Sequence, residues 1–258
     1  MELYFRDKYR PEDTLLYMEG SKAVASLQML HYQFTFHGTE LPVIYLSGVC
    51  TLPEYRRKGY TRALLIEGFN EAIRRKMPLM FLVPQEKWLI ELYAKYGFVQ
   101  AFDLGTEDLL SLKELVNRYP GNLKGAYDEF NSYFRKRDMT VQKTFNEFKT
   151  IVEEAALFDF PAKRSLPGMA RVIDAKHLLS LFVSQQGEGV SFNINVTDEL
   201  IAQNNLSISL FDSVLSNHSG GASERVISDT PGPGDGTGTE LPAVTPSMDV
   251  DIRDFTQL

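Results

Sequence analysis

The feature that most constrains the fold is an apolar segment that passes through a basic turn into an amphipathic helix. Residues 41–50 are almost continuously apolar, which predicts a strand buried on both faces. Beyond Pro53, apolar side chains recur at three- and four-residue steps, as on one face of a helix, at Ala63, Leu64, Ile66, Phe69, Ala72 and Ile73. The turn between them is Arg56-Arg57-Lys58-Gly59-Tyr60-Thr61. A strand that leads directly into a helix is a building unit of α/β folds.

The turn has the chemistry of an anion site. The first amides of a helix have no intrahelical partner and carry a partial positive charge, so phosphates bind there readily. Gly59 can adopt backbone angles closed to other residues and permits close approach of a phosphate. Arg56, Arg57 and Lys58 add positive charge. The simpler alternative is an exposed basic turn at the start of a helix.

The flanking segments predict further strands and helices. Strands are expected at residues 14–18, 24–36, 79–83, 98–102, 191–197 and 206–210. A helix is expected at 86–96, ended by Gly97, and helical periodicity continues over 104–157. Residues 170–181 combine a strand and a helix pattern, whereas 217–246 are rich in Gly, Ser, Pro and Thr and resemble a long loop.

Composition and charge narrow the class of protein. Hydrophobic residues make up 43% of the 258 and charged residues 24%, as in an ordinary globular protein. No apolar run approaches the roughly 20 residues of a membrane helix, and the start lacks a secretory signal. A cytoplasmic protein without membrane, nucleic-acid or metal partners is expected, since no basic stripe and no metal-ligand spacing occur. The net charge of −7 either favours cationic substrates or only aids solubility.

Residues 47–65 resemble the signature of the GNAT N-acetyltransferases. The family pattern Arg/Gln-x-x-Gly-x-Gly/Ala falls on Arg56, Gly59 and Thr61, where Thr61 replaces the usual Gly or Ala. The resemblance implies a mixed sheet with splayed central strands and acetyl-CoA as the co-substrate. It places the pyrophosphate at Arg56, Arg57, Lys58, Gly59, Tyr60 and Thr61, and the pantetheine arm along Gly48, Val49 and Cys50.

The segment Tyr93-Ala-Lys-Tyr-Gly-Phe98 resembles the family element whose tyrosine protonates the CoA sulfur. Tyr93 is the matching position and Tyr96 the substitute, with simple packing as the alternative. The N–H of Val49 or Cys50 would polarise the thioester carbonyl. Nucleophilic catalysis by Cys50 is disfavoured, because a cysteine in a buried strand behaves as a small hydrophobe.

No general base is visible in the sequence. Glu40 lies at the outer end of the predicted strand, and histidines on strands, such as His31 and His37, are usually packed or surface residues. A water chain would suffice for an amine of modest pKa. Trp88 and the aromatic residues at 34–36 are expected in the core rather than in an acceptor pocket.

The order of segments resembles the Eis-like branch of the family, through residues 10–16, 34–38, 48–55 and 81–88. Residues 170–174, 192–198 and 251–258 resemble the C-terminal domain of that branch, which is similar to sterol carrier protein type 2. The resemblance implies a GNAT domain at 1–105, a helical connecting region at 106–166 and a smaller α+β sterol-carrier-like domain at 167–258.

Relative to that branch the chain begins late and ends early, so shortened acceptor helices are expected. In that branch the C-terminal carboxylate acts as the base. This role is not assigned to the Leu258 carboxylate here. The expected activity is acetyl transfer from acetyl-CoA to a primary amine, such as an aminoglycoside or polyamine, by direct attack in a ternary complex. The alternative is a scaffold that binds acyl-CoA or lipid without transfer. A homo-oligomer is left open.

Overall fold

The computed structural model describes residues 2–102, 109–161, 167–184, 192–211, 214–218 and 247–252. Its helices are α1 (Glu2–Asp7), α2 (Tyr60–Arg74), α3 (Lys87–Ala94), α4 (Leu112–Arg118), α5 (Leu123–Arg135), α6 (Phe145–Ala156) and α7 (Ala175–Ser184). Its strands are β1 (Thr14–Glu19), β2 (Lys22–Phe36), β3 (Thr39–Thr51), β4 (Leu79–Leu82), β5 (Val99–Phe102), β6 (Thr140–Gln142), β7 (Gly168–Val172), β8 (Phe192–Thr197), β9 (Leu206–Phe211), β10 (Val214–His218) and β11 (Ser247–Asp251). None of these helices is long and apolar enough to cross a lipid bilayer.

A mixed sheet has the strand order β1-β2-β3-β4-β7-β5, and β6 pairs with the free edge of β2. The pair β3–β4 is parallel, and the other pairs in this sheet are antiparallel. Because side chains alternate across a strand, neighbouring residues enter different cores. Val43 and Phe81 pack on the side of α7, whereas Ile44 and Met80 pack on the side of α2 and α3. The predicted mixed α/β sheet is confirmed.

One strand of this sheet lies where the sequence predicts only helices. Within residues 104–157, Thr140–Gln142 forms β6 and pairs with Gln33, Phe34 and Thr35 of β2. The periodicity of a segment does not reveal a pairing partner so distant in sequence, since tertiary contacts decide it. The helices α4, α5 and α6 form a separate cluster around Leu115, Phe130 and Phe148.

The first sheet takes in a strand from the C-terminal part of the chain. The sequence division assigns residues 167–258 to a C-terminal unit, yet Gly168–Val172 pairs with β4 and β5. The later strands form their own sheet, in the order β10-β9-β8-β11. Its residues Ile194 and Ile208 share one hydrophobic core with Val43 and Phe81 of the first sheet. Most of the loop predicted at 217–246 lies outside the described residues.

A buried ion pair joins β7 to the segment after β8. The side chain of Arg171 is fully buried, and its Nη2 donates to both carboxylate oxygens of Asp198 at 2.7 and 2.8 Å. The same carboxylate accepts hydrogen bonds from the backbone N–H groups of Leu200 and Ile201 at 3.0 and 3.1 Å. A Cβ at Gly97 would lie 2.9 Å from the guanidinium carbon of Arg171. The turn that ends α3 is therefore packed directly against this ion pair.

Candidate active site

The strands β3 and β4 diverge in the middle of the sheet. Their pairing consists of Ile44 with Met80 and Tyr45 with Phe81. Beyond this point β3 continues to Thr51, whereas β4 ends at Leu82. Among the described strands, none therefore pairs with the backbone of β3 past Tyr45 on that side, which leaves a gap beside it.

A β-bulge lies on the unpaired part of β3. Gln28 pairs with Ser47 and Ser26 with Cys50, so β3 has one residue more than β2 across this interval. Gly48 has a positive φ of 57° and its carbonyl accepts a hydrogen bond from the Ser26 hydroxyl at 3.1 Å. A bulge of this kind leaves backbone groups unpaired and redirects them. These groups lie on the part of β3 that extends past its pairing with β4, where a ligand could bind them.

The basic turn connects β3 to α2. Gly59 has φ +87° and precedes the helix, so the first amides of α2 have no side-chain cap from this position. The hydroxyl groups of Thr51 and Thr61 lie 3.2 Å apart and tie the end of β3 to the first turn of the helix. This contact gives Thr61 a local role that Gly or Ala at this position would lack.

The three cations of the turn are exposed, but they differ in their partners. The Nζ of Lys58 lies 3.7 Å from the Glu19 carboxylate and 4.7 Å from the centre of the Tyr55 ring. Arg56 donates from Nε to the Thr51 carbonyl at 3.4 Å. Neither Arg56 nor Arg57 has an ion-pair partner in the described part of the chain. Two guanidinium groups are thus available for an anion beside the start of α2.

Tyr93 lies near the end of α3 with only 6% of its surface exposed. Its carbonyl accepts the N–H of Phe98, and the Ala94 carbonyl accepts that of Gly97, which closes the helix. Burial, followed by the charge of Tyr45, raises the pKa of the Tyr93 hydroxyl above its ordinary value. Within the described residues this hydroxyl has no hydrogen-bond partner. It is therefore an acid that stays protonated and is free to donate to a ligand.

Further tyrosines lie on the other face of the sheet from Tyr93. Tyr45 lies next to the backbone of Val83, just past β4, and burial raises the pKa of its hydroxyl. Its ring meets that of Tyr32 edge-on, with 6.3 Å between centroids. The Tyr4 hydroxyl of α1 lies 3.1 Å from the Ser47 hydroxyl and also binds the Gln28 amide oxygen. These contacts connect the bulge to the space beneath α1.

That space is a cleft of about 900 Å³ along the edge of β2, between β1 and β6 and beneath α1 and α6. Its volume lies in the range typical of small-molecule sites. The lining is rich in charge. The basic side chains are Arg6, Lys8, Arg10, Arg135, Lys143 and Lys149. The carboxylates are Asp7, Asp13, Glu147 and Glu153.

Two lysines meet at Tyr32 in the wall of this cleft. Lys8 donates from Nζ to the Tyr32 hydroxyl at 3.3 Å and lies 3.6 Å from the Glu147 carboxylate. The Nζ of Lys143 lies 3.7 Å from the centre of the Tyr32 ring. The pKa of Lys143 is lowered to about 8, chiefly by burial, while the charge of Glu147 acts in the opposite direction and that of Lys8 adds to the lowering. In the described ranges, Lys143 has no carboxylate within ion-pair distance.

Comparisons with known proteins agree with this geometry. Residues 1–101 match the family model described as an acetyltransferase (GNAT) domain. Over its whole length the chain is similar to a probable N-acyltransferase from Enterococcus faecalis, with a TM-score of 0.56, 14% identity and 80% of that chain covered. The fold is that of the GNAT acetyltransferases.

Two further solved structures share the GNAT fold. A GCN5-related N-acetyltransferase from Anabaena variabilis has a TM-score of 0.53 and 13% identity, over 99% of this chain and 81% of the other. Eis1 from Mycobacterium abscessus has a TM-score of 0.52 and 9% identity, over 95% and 79%. At these identities the similarity establishes the fold. No curated protein matches the chain in sequence.

The polar residues considered as bases in this GNAT fold are engaged elsewhere. Glu40 forms an ion pair with Arg135 at the hairpin end of β3. It lies eight residue steps before Gly48, which is roughly 26 Å along the strand. The His31 ring lies 3.4 Å from Asp13, and that of His37 lies 3.9 Å from Asp138. Leu258 lies outside the described residues. The base remains unassigned.

Burial of β3 and of two aromatic positions differs from the sequence prediction. Gly48 and Cys50 are exposed, because β4 ends before it can cover this part of β3. The interpretation of Cys50 as a buried hydrophobe is therefore wrong. Its Sγ lies 3.1 Å from the Ser26 hydroxyl. Phe34 is in the core as predicted, but Trp88 is 59% exposed.

Several residues in the cleft or next to it have no signal in the sequence. Tyr4, Tyr32 and Tyr45 stand on α1, β2 and β3, and only the folded sheet brings them together. Lys143 follows β6, whose pairing the helical periodicity conceals. In the described part of the chain, no group of three or more His, Cys, Asp or Glu side chains is placed to hold a metal ion.

Proposed function

We propose that the protein is an N-acetyltransferase that transfers the acetyl group of acetyl-CoA to a primary amine. One observation carries the proposal. Past its pairing with β4, β3 continues through the bulge at Gly48 directly into the basic turn. Tyr93, whose pKa is affected by Tyr45 at the end of that pairing, supports the proposal. The match of residues 1–101 to a GNAT domain supports it.

In this proposal the cofactor lies across the diverging strands. Its pyrophosphate binds at residues 56–61, where α2 amides without intrahelical partners and the free charges of Arg56 and Arg57 attract anions. The pantetheine arm hydrogen-bonds the backbone of Gly48, Val49 and Cys50. The N–H of Val49 or Cys50 polarises the thioester carbonyl, because a fixed donor stabilises the negative charge that develops on the oxygen.

The transfer is a direct displacement between the two substrates. The neutral amine attacks the thioester carbonyl, the C–N bond forms and the C–S bond breaks. The attacking nitrogen loses its proton to water or to a base that is not assigned. The thiolate of CoA takes the proton of the Tyr93 hydroxyl, which is then restored from solvent. No acetyl-enzyme forms, so the exposed Cys50 thiol has no covalent part.

The Eis-like assignment and the sterol-carrier-like domain belong to the same proposal. The fold similarity to Eis1 from Mycobacterium abscessus supports the first. For the second, the support is the separate sheet β10-β9-β8-β11 that follows α7. In that division residues 1–105 bind acetyl-CoA, 106–166 connect, and 167–258 form the C-terminal domain.

A Gly59→Val variant tests the cofactor site. The branched side chain would enter the space beside the first amides of α2, and residue 59 has φ +87°. We expect the affinity for acetyl-CoA, measured by calorimetry, to fall by at least about tenfold. The catalytic efficiency kcat/KM for acetyl-CoA should fall in parallel.

The matched control is Gly38→Val. Gly38 also has a positive φ, +73°, and open space around its Cβ position, but it lies in the hairpin between β2 and β3. The strain of a side chain is therefore similar in both variants, while only Gly59 adjoins the proposed pyrophosphate site. Equal affinity of the two variants for acetyl-CoA would contradict the assignment of the turn.

A further inference from the structure

The cleft beneath α1 and the proposed cofactor site approach each other from opposite faces of the sheet. Tyr32 lines the cleft, and its ring contacts that of Tyr45. Tyr45 is the last residue of β3 that pairs with β4. The charge of Tyr45 in turn raises the pKa of Tyr93. A molecule in the cleft would therefore have one end near the gap where the proposed thioester lies.

The charges of the cleft favour an anionic group. Six of its lining side chains are Lys or Arg and four are Asp or Glu, although the protein as a whole has a net charge of −7. A local excess of positive charge in an acidic protein repels polycations and attracts anions. This opposes the polyamine and aminoglycoside acceptors that the resemblance to the Eis-like branch suggests.

Three of the six cations have ion-pair partners, whereas Arg10, Lys143 and Lys149 have none within the described residues, and Lys143 is the least exposed of these three. Arg6 pairs with Asp7 and Glu153, Arg135 with Glu40, and Lys8 with Glu147. Lys143 instead lies over the Tyr32 ring, a contact that stabilises a cation but does not neutralise it. The hydroxyl of Tyr127 donates to the Lys143 carbonyl at 3.0 Å and fixes the backbone there.

We propose that the acceptor bound in this cleft is a primary amine that also carries a carboxylate, as amino acids do. Lys143 binds the carboxylate, and the amine lies toward Tyr45 and the divergence of β3 and β4. The inference rests on the proposed function, because it names the acceptor of that same reaction. A zwitterion needs a cationic group in the site to bind its carboxylate. The partially buried ammonium of Lys143 can serve as this group, because it has no carboxylate partner within the described residues.

Matched amines and a matched lysine variant test the proposal. Turnover with acetyl-CoA is measured for L-phenylalanine against phenethylamine, and for L-leucine against 3-methylbutylamine, with spermidine and an aminoglycoside as polycations. Binding of the same amines to the CoA-loaded protein is measured by calorimetry, which requires no turnover. The variants are Lys143→Met, which keeps the apolar stem, and Lys124→Met on the exposed face of α5.

We expect wild type to prefer each amino acid over its decarboxylated partner by about tenfold or more, in KM and in binding, as for a hydrogen bond between charged groups. Lys143→Met should remove this preference without changing KM for acetyl-CoA, and Lys124→Met should keep it. Binding with this preference but without turnover would support the amino-acid site in the cleft and contradict the proposed acetyltransferase activity. Turnover that favours phenethylamine or spermidine, or a preference that survives in Lys143→Met, would overturn the cleft assignment alone. Neither binding nor turnover of any amine would overturn both.

Discussion

Replacement of Asp198 by alanine should lower the free energy of unfolding by about 3–5 kcal/mol, the typical cost of leaving one partner of a buried ion pair alone. The Arg171 side chain is 0% exposed, and within the described residues its Nε and Nη1 already have no hydrogen-bond partner. Without Asp198 the guanidinium would lose its counter-charge, and the N–H groups of Leu200 and Ile201 would lose their acceptor. Urea unfolding monitored by circular dichroism gives the change, from the midpoint at unchanged slope.

Asp128→Ala is the control for this measurement. Asp128 pairs with Lys124 one turn away on α5, and both side chains are about 60% exposed. Exposed pairs of this spacing contribute only about 0.3–0.5 kcal/mol. If Asp198→Ala destabilised the protein no more than this control, the ion pair would not link β7 to the segment after β8 as described.

Tyr93→Phe should reduce kcat by about 10²–10⁴-fold, the usual contribution of a positioned general acid. Phenylalanine keeps the packing of the ring against Phe98, so stability and KM for acetyl-CoA should change little. Without the hydroxyl, the thiolate of CoA must leave unprotonated or take its proton from water.

The pH profile gives a second readout of the same residue. The acid form of Tyr93 is the active one, so activity should be lost as pH rises through its pKa. Burial raises that pKa, so the loss should occur only above about pH 10, the ordinary value for tyrosine. Tyr96→Phe, one residue before Gly97, is the control and should keep the wild-type profile. Undiminished turnover of Tyr93→Phe at every pH would remove the general-acid role.

The sequence predicted the order of strands and helices well where a local pattern decides it. The alternation in β2 and the three- and four-residue steps of α2 are set by which face is buried, and both elements formed as expected. The turn at residues 56–61 was equally visible, because glycine and three cations at a strand–helix junction have a local chemical meaning.

The rest of the site depends on contacts between distant segments. β4 ends at Leu82 while β3 runs on to Thr51, and this difference in length exposes Gly48 and Cys50. Nothing in the apolar run at 41–50 reveals where its neighbour stops. The insertion of β7 between β4 and β5 and the pairing of β6 with β2 are likewise long-range. The cleft and Lys143 follow from these pairings, which is why the sequence did not identify them.

The most direct test of the acetyltransferase assignment is to incubate the full chain with acetyl-CoA and the panel of amines. Free thiol is then followed over time, and the acetylated amine is identified by mass spectrometry. We predict thiol release above the control without acceptor and equal amounts of acetylated amine and free CoA. Both products should form much more slowly in Tyr93→Phe, and more slowly in Gly59→Val when acetyl-CoA is below saturation. Intact binding of acetyl-CoA with neither product formed for any amine would contradict the assignment and favour a protein that binds acyl-CoA without transferring the acyl group.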